Sequence, residues 1–126
     1  MEKIKLPNAP EPKGHYSPAV VHNGLIFVSG QLPMNHATGE METGAIETQT
    51  ELALRNVEAI LKAAGSDLNH VLQFTIYVSE MDDWDKVNGV YKRILGEHKP
   101  ARAIVPVKTL HFGTQIEIQA IAAVKE

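Results

Sequence analysis

The chain has 126 residues, a length suited to a single domain, which we predict over residues 1–126. Its 12 Lys and Arg residues are outnumbered by 15 Asp and Glu, and they are scattered, so no basic stripe is present to follow a nucleic acid backbone. Cysteine is absent, which excludes disulfides, thiol nucleophiles and thiolate metal sites.

The first residues carry no hydrophobic segment of the kind found in signal peptides, and the longest apolar run, residues 120–124, is far too short to cross a bilayer. We therefore expect a soluble cytoplasmic protein that contacts neither membranes nor nucleic acids.

The first regular elements are two strand-like runs at residues 16–22 and 25–29. Asn23 and Gly24 separate them, and this dipeptide tolerates the positive φ angles of a two-residue type I′ turn. A β-hairpin is predicted, followed by a polar loop.

Helical and strand periods then alternate. From about Ile46 to Gly65, apolar residues recur at the spacing of an amphipathic helix. Residues 72–78 alternate between apolar and polar and predict a strand whose apolar face carries Leu72, Phe74, Ile76 and Val78. A second helix is expected to begin near Asp82 or Asp83 and to end at Gly96, with an apolar stripe formed by Trp84, Val87, Tyr91, Ile94 and Leu95.

Two further strands, at residues 101–107 and 115–124, complete an order of two strands, an optional short strand, then helix, strand, helix and two strands. Alternation puts Arg102, Ile104 and Pro106 on one face of the first of these strands, and we expect its other, small and aliphatic face to pack under the helices. Two helices cover only one face of such a sheet, so the remaining apolar face, with Ile104 and Ile121, predicts a covering subunit.

Arg102 is the most informative residue, because its guanidinium lies in an otherwise apolar strand with no acidic neighbour in sequence. A guanidinium offers paired donors that match a carboxylate. With the polar positions Glu117 and Gln119 of the last strand, Arg102 predicts a small carboxylate-binding cavity. The alternative is an arginine that reaches solvent or pairs with Glu117 or another acid.

Other chemistries have less support. The six histidines show neither HxH nor HExxH spacing, and no phosphate-binding glycine loop is present, so no metal or cofactor is predicted. The Ser29-Gly30-Gln31 triplet at a strand end would present N–H groups and a hydroxyl to a ligand, although such a triplet is usually only a strand exit.

Several segments together resemble the RidA/YjgF family, also called the endoribonuclease L-PSP family. They occur in order through nearly the whole chain: residues 14–20 (GHYSPAV), 29–33 (SGQLP), 38–40 (TGE), 87–88 (VN) with Tyr91, 100–102 (PAR) and 116–122 (IEIQAIA). The resemblance implies a chorismate-mutase-like α+β fold, a single mixed sheet with two helices on one face, and a homotrimer with ligand clefts between subunits. It also implies 2-iminobutanoate/2-iminopropanoate deaminase activity without a cofactor.

The implied reaction removes reactive enamines and imines released by pyridoxal-phosphate enzymes: water adds at the imine carbon and ammonia leaves, giving a 2-keto acid. The resemblance assigns Arg102 as the clamp for the substrate carboxylate. The other residues that it places at the cleft are Tyr16, Ser29, Gly30, Asn88, and Ala103 and Ile104 through their main chain.

Three departures from the family pattern bear on turnover. Gln119 stands where the resemblance expects a Glu that orients the attacking water, and Gln cannot accept that proton. Ile104 and His15 replace a common Cys and Pro. The alternative function is therefore a small-carboxylate-binding or regulatory trimer with little turnover. Ribonuclease or translation-inhibitor activity ranks last, because the chain has no basic stripe and no histidine pair placed for acid and base catalysis.

Overall fold

Six strands and two helices are built from these patterns in the computed structural model, which describes residues 1–7 and 9–126. Their bounds are β1 (Glu2–Ile4), β2 (Ala19–His22), β3 (Leu25–Gln31), α1 (Ile46–Ala63), β4 (Val71–Val78), α2 (Trp84–Leu95), β5 (Ala101–Pro106) and β6 (Ile116–Ala123). The strands form one mixed sheet in the order β1-β2-β3-β6-β4-β5. Only the β4–β5 pair is parallel, which α2 makes possible as the crossover between them. The predicted α+β class is confirmed.

The β2–β3 hairpin turns as its sequence predicts. Asn23 and Gly24 have φ angles of 52° and 77°, the two positive values that a type I′ turn needs. Strand β2 begins at Ala19, later than the predicted residue 16, and β3 continues two residues past Ser29. The three-residue strand β1, which pairs with β2, was not predicted, because so short a run shows no period.

Both helices cover the same face of the sheet. The stripe of α1 is fully buried at Ala53, Leu54, Val57, Ile60 and Leu61. These side chains share one core with alternate residues of the strands: Ile26, Phe74, Ile76, Ile116 and Ile118. Burying a Val, Leu, Ile or Phe side chain contributes on the order of 1.5–3 kcal/mol, so burial on the helix-covered face stabilises the fold strongly.

Strand β5 is turned the other way from the prediction. Arg102 pairs in register with Phe74 and Ile104 with Ile76, and both partners are buried beneath the helices. Arg102 and Ile104 therefore lie on the helix-covered face, and the expectation that Ala101, Ala103 and Val105 pack there is wrong. These three are exposed on the opposite face. Period 2 separates two faces without saying which one the helices cover, and large α2 side chains, Trp84 and Tyr91, reach Arg102 instead.

The face away from the helices is called the open face below. It carries alternate residues of the central strands: Phe27, Tyr77, Glu117, Gln119 and Ile121, with Ala103 on the edge strand β5. Ile104 does not belong to it, whereas Ile121 does, so the predicted pair of apolar residues on one uncovered face is corrected to Ile121 alone.

Leu72 is also corrected. The β4–β6 pairing shifts register between Val71 and Gln73, and this bulge places Val71 on the helix-covered face in place of Leu72. Val71 is 1% exposed and Leu72 is 49% exposed. An extra residue in one strand changes which neighbours face the core, and strict alternation cannot reveal it.

No helix in the described part of the chain combines the length and the apolar character that crossing a membrane requires.

Candidate functional site

Arg102 is held at the start of β5 by α2. Its Nη1 donates to Oδ1 of Asn88 at 3.0 Å. The guanidinium carbon lies 5.5 Å from the centre of the Trp84 ring and 5.6 Å from that of Tyr91, within the range of cation–π attraction. An amide and two aromatic rings thus fix the guanidinium without neutralising it.

Arg102 forms no ion pair with any acid of the residues described here. The alternative of a partner at Glu117 is not realised, since Glu117 lies on the open face. In the single chain Arg102 is exposed rather than buried, so its charge is available to a ligand. We call Arg102 and Asn88 the clamp.

Tyr91 supports the clamp from below. Its ring packs edge-on against Phe74 with centroids 5.2 Å apart, and its hydroxyl has no hydrogen-bond partner among the described residues. Burial raises the pKa of Tyr91, which keeps the hydroxyl protonated and leaves Arg102 without a phenolate counterion.

A second group of site residues lies on the open face, around Gly30 and Glu117. A Cβ added to Gly30 would overlap the Glu117 carboxylate, so a larger residue at this position would force the Glu117 side chain to shift. Glu117 is half-buried, and burial raises the pKa of its carboxyl, with a smaller opposing influence from His111. We call Gly30 and Glu117 the glycine–glutamate pair. Sequence reasoning treated Glu117 only as a polar position or a partner for Arg102; the available signal was an acid flanked by isoleucines in a core strand.

Ser29 lies beside this pair and is already engaged. Its Oγ donates to the carbonyl of Ser17 at 2.7 Å, and its N–H donates to the carbonyl of Pro18 at 2.9 Å. Ser29 thereby ties β3 to the segment before β2 rather than presenting a free hydroxyl. Tyr16, in that segment, is 56% exposed.

Gln119 shares the open face with Glu117, two residues away. Its Oε1 accepts a hydrogen bond from the Tyr77 hydroxyl at 2.8 Å, which fixes the side chain at the surface. Ala103 is exposed on the same face, whereas Ile104 packs against the core on the opposite one.

The structure therefore joins some predicted residues and separates others. Arg102 and Asn88 are together, and Ser29, Gly30 and Gln119 share the open face, but the sheet itself separates Arg102 from Gln119 within one chain. Strand β5 is the outer strand of the sheet and pairs only with β4, so part of its main chain from 102 to 104 remains open to a ligand.

Comparisons with known proteins agree with this architecture. The endoribonuclease L-PSP family model matches residues 6–124. A RutC family protein of Pyrococcus horikoshii is 46% identical over 121 residues, 96% of each chain. The human 2-iminobutanoate/2-iminopropanoate deaminase is 37% identical over 119 residues, 94% of this chain and 87% of the human one.

Among solved structures, Escherichia coli TdcF with bound serine superposes with a TM-score of 0.92 and 33% identity, covering 99% of this chain and all of TdcF. The E. coli YjgF gene product gives the same TM-score at 35% identity, with 99% and 100% of the two chains covered. The chain belongs to the endoribonuclease L-PSP family, the RidA/YjgF family that its sequence resembles.

Proposed function

We propose that the protein is an imine deaminase that hydrolyses 2-imino acids to 2-keto acids and ammonia. The observation that carries the proposal is the clamp: a guanidinium held by Asn88 at 3.0 Å, with no acidic partner among the described residues, is ready for a substrate carboxylate. The human relative named as a 2-iminobutanoate/2-iminopropanoate deaminase supports the reaction, and the serine bound to TdcF supports a small ligand of this kind.

The chemistry needs one binding cation and one base. Arg102 binds the carboxylate and orients the imine carbon. Water adds to the carbon of the protonated imine while a carboxylate accepts one of the water protons, giving a carbinolamine. The carboxylic acid returns that proton to nitrogen. The C–N bond then breaks as the carbinolamine hydroxyl loses its proton to the same carboxylate and becomes the keto C=O. Ammonia leaves and takes up the proton that the carboxylate holds, so one water is consumed for each 2-keto acid and ammonium ion formed.

Glu117 is the candidate for the base. It is half-buried beside Gly30, and its raised pKa makes the carboxylate a stronger proton acceptor than an ordinary glutamate. Gln119 can hold a water through its amide but cannot take a proton. We therefore assign Glu117 to proton transfer and Gln119, fixed by Tyr77, to positioning of the water.

A homotrimer would join the two groups of residues. The clamp and the glycine–glutamate pair are on opposite faces of one sheet. A substrate that contacts both therefore needs the clamp of one subunit and the open face of another. The open face exposes Phe27, Leu72 and Val105 at 45%, 49% and 36%, an apolar surface that a neighbour would cover. Sedimentation at micromolar concentration should give a trimer, and a stable monomer with full activity would exclude this arrangement.

The deaminase activity can be tested with imine generated in situ from threonine by a threonine dehydratase. The protein should accelerate release of ammonia and 2-ketobutyrate above the uncatalysed rate. Glu117→Gln should lower the acceleration by ~10²–10⁴-fold while 2-ketobutyrate still binds. Glu58→Gln, on the outer surface of α1, is the control and should retain the parent rate.

The competing function is a carboxylate-binding or regulatory trimer, favoured by Gln119 at the position where the resemblance expects Glu. It predicts that 2-ketobutyrate binds and that neither the parent nor Glu117→Gln alters imine hydrolysis. An unaccelerated parent reaction, with binding that still depends on Arg102, would replace the deaminase proposal with this one.

A further inference from the structure

A groove runs from the clamp along the end of α2. Its volume is about 630 Å³, and Arg102 and Asn88 are among the residues that line it. Its apolar wall is formed by the partly exposed Leu95 and Pro100, together with the buried side chains of Phe74 and Tyr91. A ligand held by Arg102 would therefore have room for a side chain with several methylene groups.

The groove is positively charged in a chain that is negative overall. Lys92, Lys99 and Arg102 line it against the single acid Glu97, whereas the whole chain has a net charge of −3. Within the described parts of the chain neither lysine forms an ion pair, although lysines elsewhere do, such as Lys62 with Glu58. Three cationic side chains against one carboxylate leave the groove with an excess of positive charge.

The backbone that carries the two lysines is fixed. Gly96 N–H donates to the carbonyl of Lys92 at 3.1 Å, and His98 N–H donates to that of Leu95 at 3.2 Å. The His98 ring also contacts β4, with Nε2 2.9 Å from the carbonyl oxygen of Val71. Lys99 therefore follows a segment tied to both α2 and the sheet.

We propose that this groove is a second anion subsite, which selects 2-imino acids that carry a carboxylate on the side chain. The inference rests on the proposed function and names its substrate class. Arg102 holds the carboxylate next to the imine carbon, the apolar wall packs against the methylene groups, and Lys92 and Lys99 attract the distal carboxylate. Such imines derive from acidic amino acids.

Two stable keto acids of equal chain length test the subsite by titration calorimetry. 2-Oxopentanedioate and 2-oxopentanoate differ only in the distal carboxylate. Exposed ion pairs contribute modestly, so we expect the parent to bind the dicarboxylate about tenfold more tightly. The Lys92→Gln/Lys99→Gln double variant should remove this preference, and added salt should shrink it in the parent.

Lys62→Gln, outside the groove, is the matched control and should keep the preference. Equal affinity of the parent for the two keto acids would overturn the inference, as would a double variant that keeps the preference or weakens both ligands alike. These binding results do not depend on turnover. If the protein does not accelerate imine hydrolysis but prefers the dicarboxylate through its two lysines, the deaminase proposal is wrong and the subsite proposal stands. If the protein is an active deaminase without that preference, only the subsite proposal is wrong.

Discussion

The two faces of the sheet differ in how deeply their side chains are buried. On the helix-covered face, Phe74, Ile76 and Ile118 are fully buried in the core. On the open face, one or two residues away along the same strands, Leu72 and Gln119 are exposed and Glu117 is half-buried. Along the central strands, the residues that stabilise the chain therefore alternate with Glu117 and Gln119, whereas the clamp lies on the helix-covered face at the outer strand β5. A substitution on the open face need not disturb the core.

The largest expected effect tests the helix-covered face. Ile118→Ala should lower the free energy of unfolding by about 2–5 kcal/mol, because a fully buried side chain leaves a cavity. Leu72→Ala, the matched variant on the exposed side of the bulge, should matter only through assembly. The loss of unfolding free energy caused by Leu72→Ala should therefore shrink as the protein is diluted and subunits separate, whereas the loss caused by Ile118→Ala should stay the same.

Chemical denaturation at several protein concentrations measures both. Equal, concentration-independent losses for the two variants would show that the two faces do not differ in this way.

The next effect concerns the clamp. Arg102→Ala should weaken 2-ketobutyrate binding by about 10–100-fold, since hydrogen bonds to a charged group contribute roughly 1.5–3 kcal/mol. The exposed position of Arg102 means that the fold should persist. Arg102→Lys should restore binding only in part, because an ammonium cannot reproduce the paired donors.

Arg93→Ala is the control for this measurement, as Arg93 pairs with Glu51 at 2.7 Å instead of facing the clamp. Calorimetry that gives Arg102→Ala the affinity of the parent would remove Arg102 from the site.

A smaller effect on the rate tests whether Glu117 or the residue at position 119 is the base. The resemblance predicts that Gln119→Glu restores a missing base and raises the rate, with a gain that shrinks in acid. Because Glu117 already supplies a carboxylate on the same face, we expect a change below the ~10²-fold minimum typical of a new general base. The added charge should also raise the pKa of Glu117 and move the acid limb of the pH profile upward.

The rate of imine hydrolysis across pH measures this for the parent and Gln119→Glu. A gain of 10²-fold or more, together with an inert Glu117→Gln, would return the role of base to position 119.

The smallest effect lies at the far end of the sheet, where Asp67 contacts His70 and Lys125 at 2.6 and 3.2 Å. The hydrogen bond with His70, then that with Lys125, lowers the pKa of Asp67 from 3.8 to about 2, against the opposing effect of burial. A pKa lowered by folding stabilises the native state above the unfolded value and loses that contribution as the pH falls toward 2. Asp67→Asn should therefore be less stable than the parent near neutral pH, with a deficit that disappears between about pH 4 and pH 2.

Thermal unfolding across this range measures the deficit. A deficit that stays constant down to pH 2 would mean that Asp67 acts by packing rather than by charge.

Elements with a strong local signal were predictable from sequence. The hairpin follows from the conformational preference of Asn23-Gly24, and α1 and α2 follow from long apolar stripes. The orientation of β5 was not predictable, because both of its faces read as apolar apart from Arg102. The bulge at Val71 and Leu72 arises from pairing with β6, a partner about 50 residues away in the sequence, and leaves no local trace.

For the site, the resemblance placed both Arg102 and Asn88 at the cleft, and the two side chains are in contact. Binding of a carboxylate by Arg102 stays a prediction. The importance of Glu117 was missed, because it depends on Gly30 lying directly against it, and that contact joins two strands that are distant in the sequence.

Because β5 is the outer strand of the sheet, its free edge also affects whether newly synthesised copies of the chain pair with one another. A strand with unpaired N–H and C=O groups is a template on which other chains can add strands and aggregate. The charge of Arg102 and the missing N–H of Pro106, near the two ends of β5, both oppose such addition. The same arginine that is proposed to bind the ligand should thus also disfavour mispairing between newly made chains.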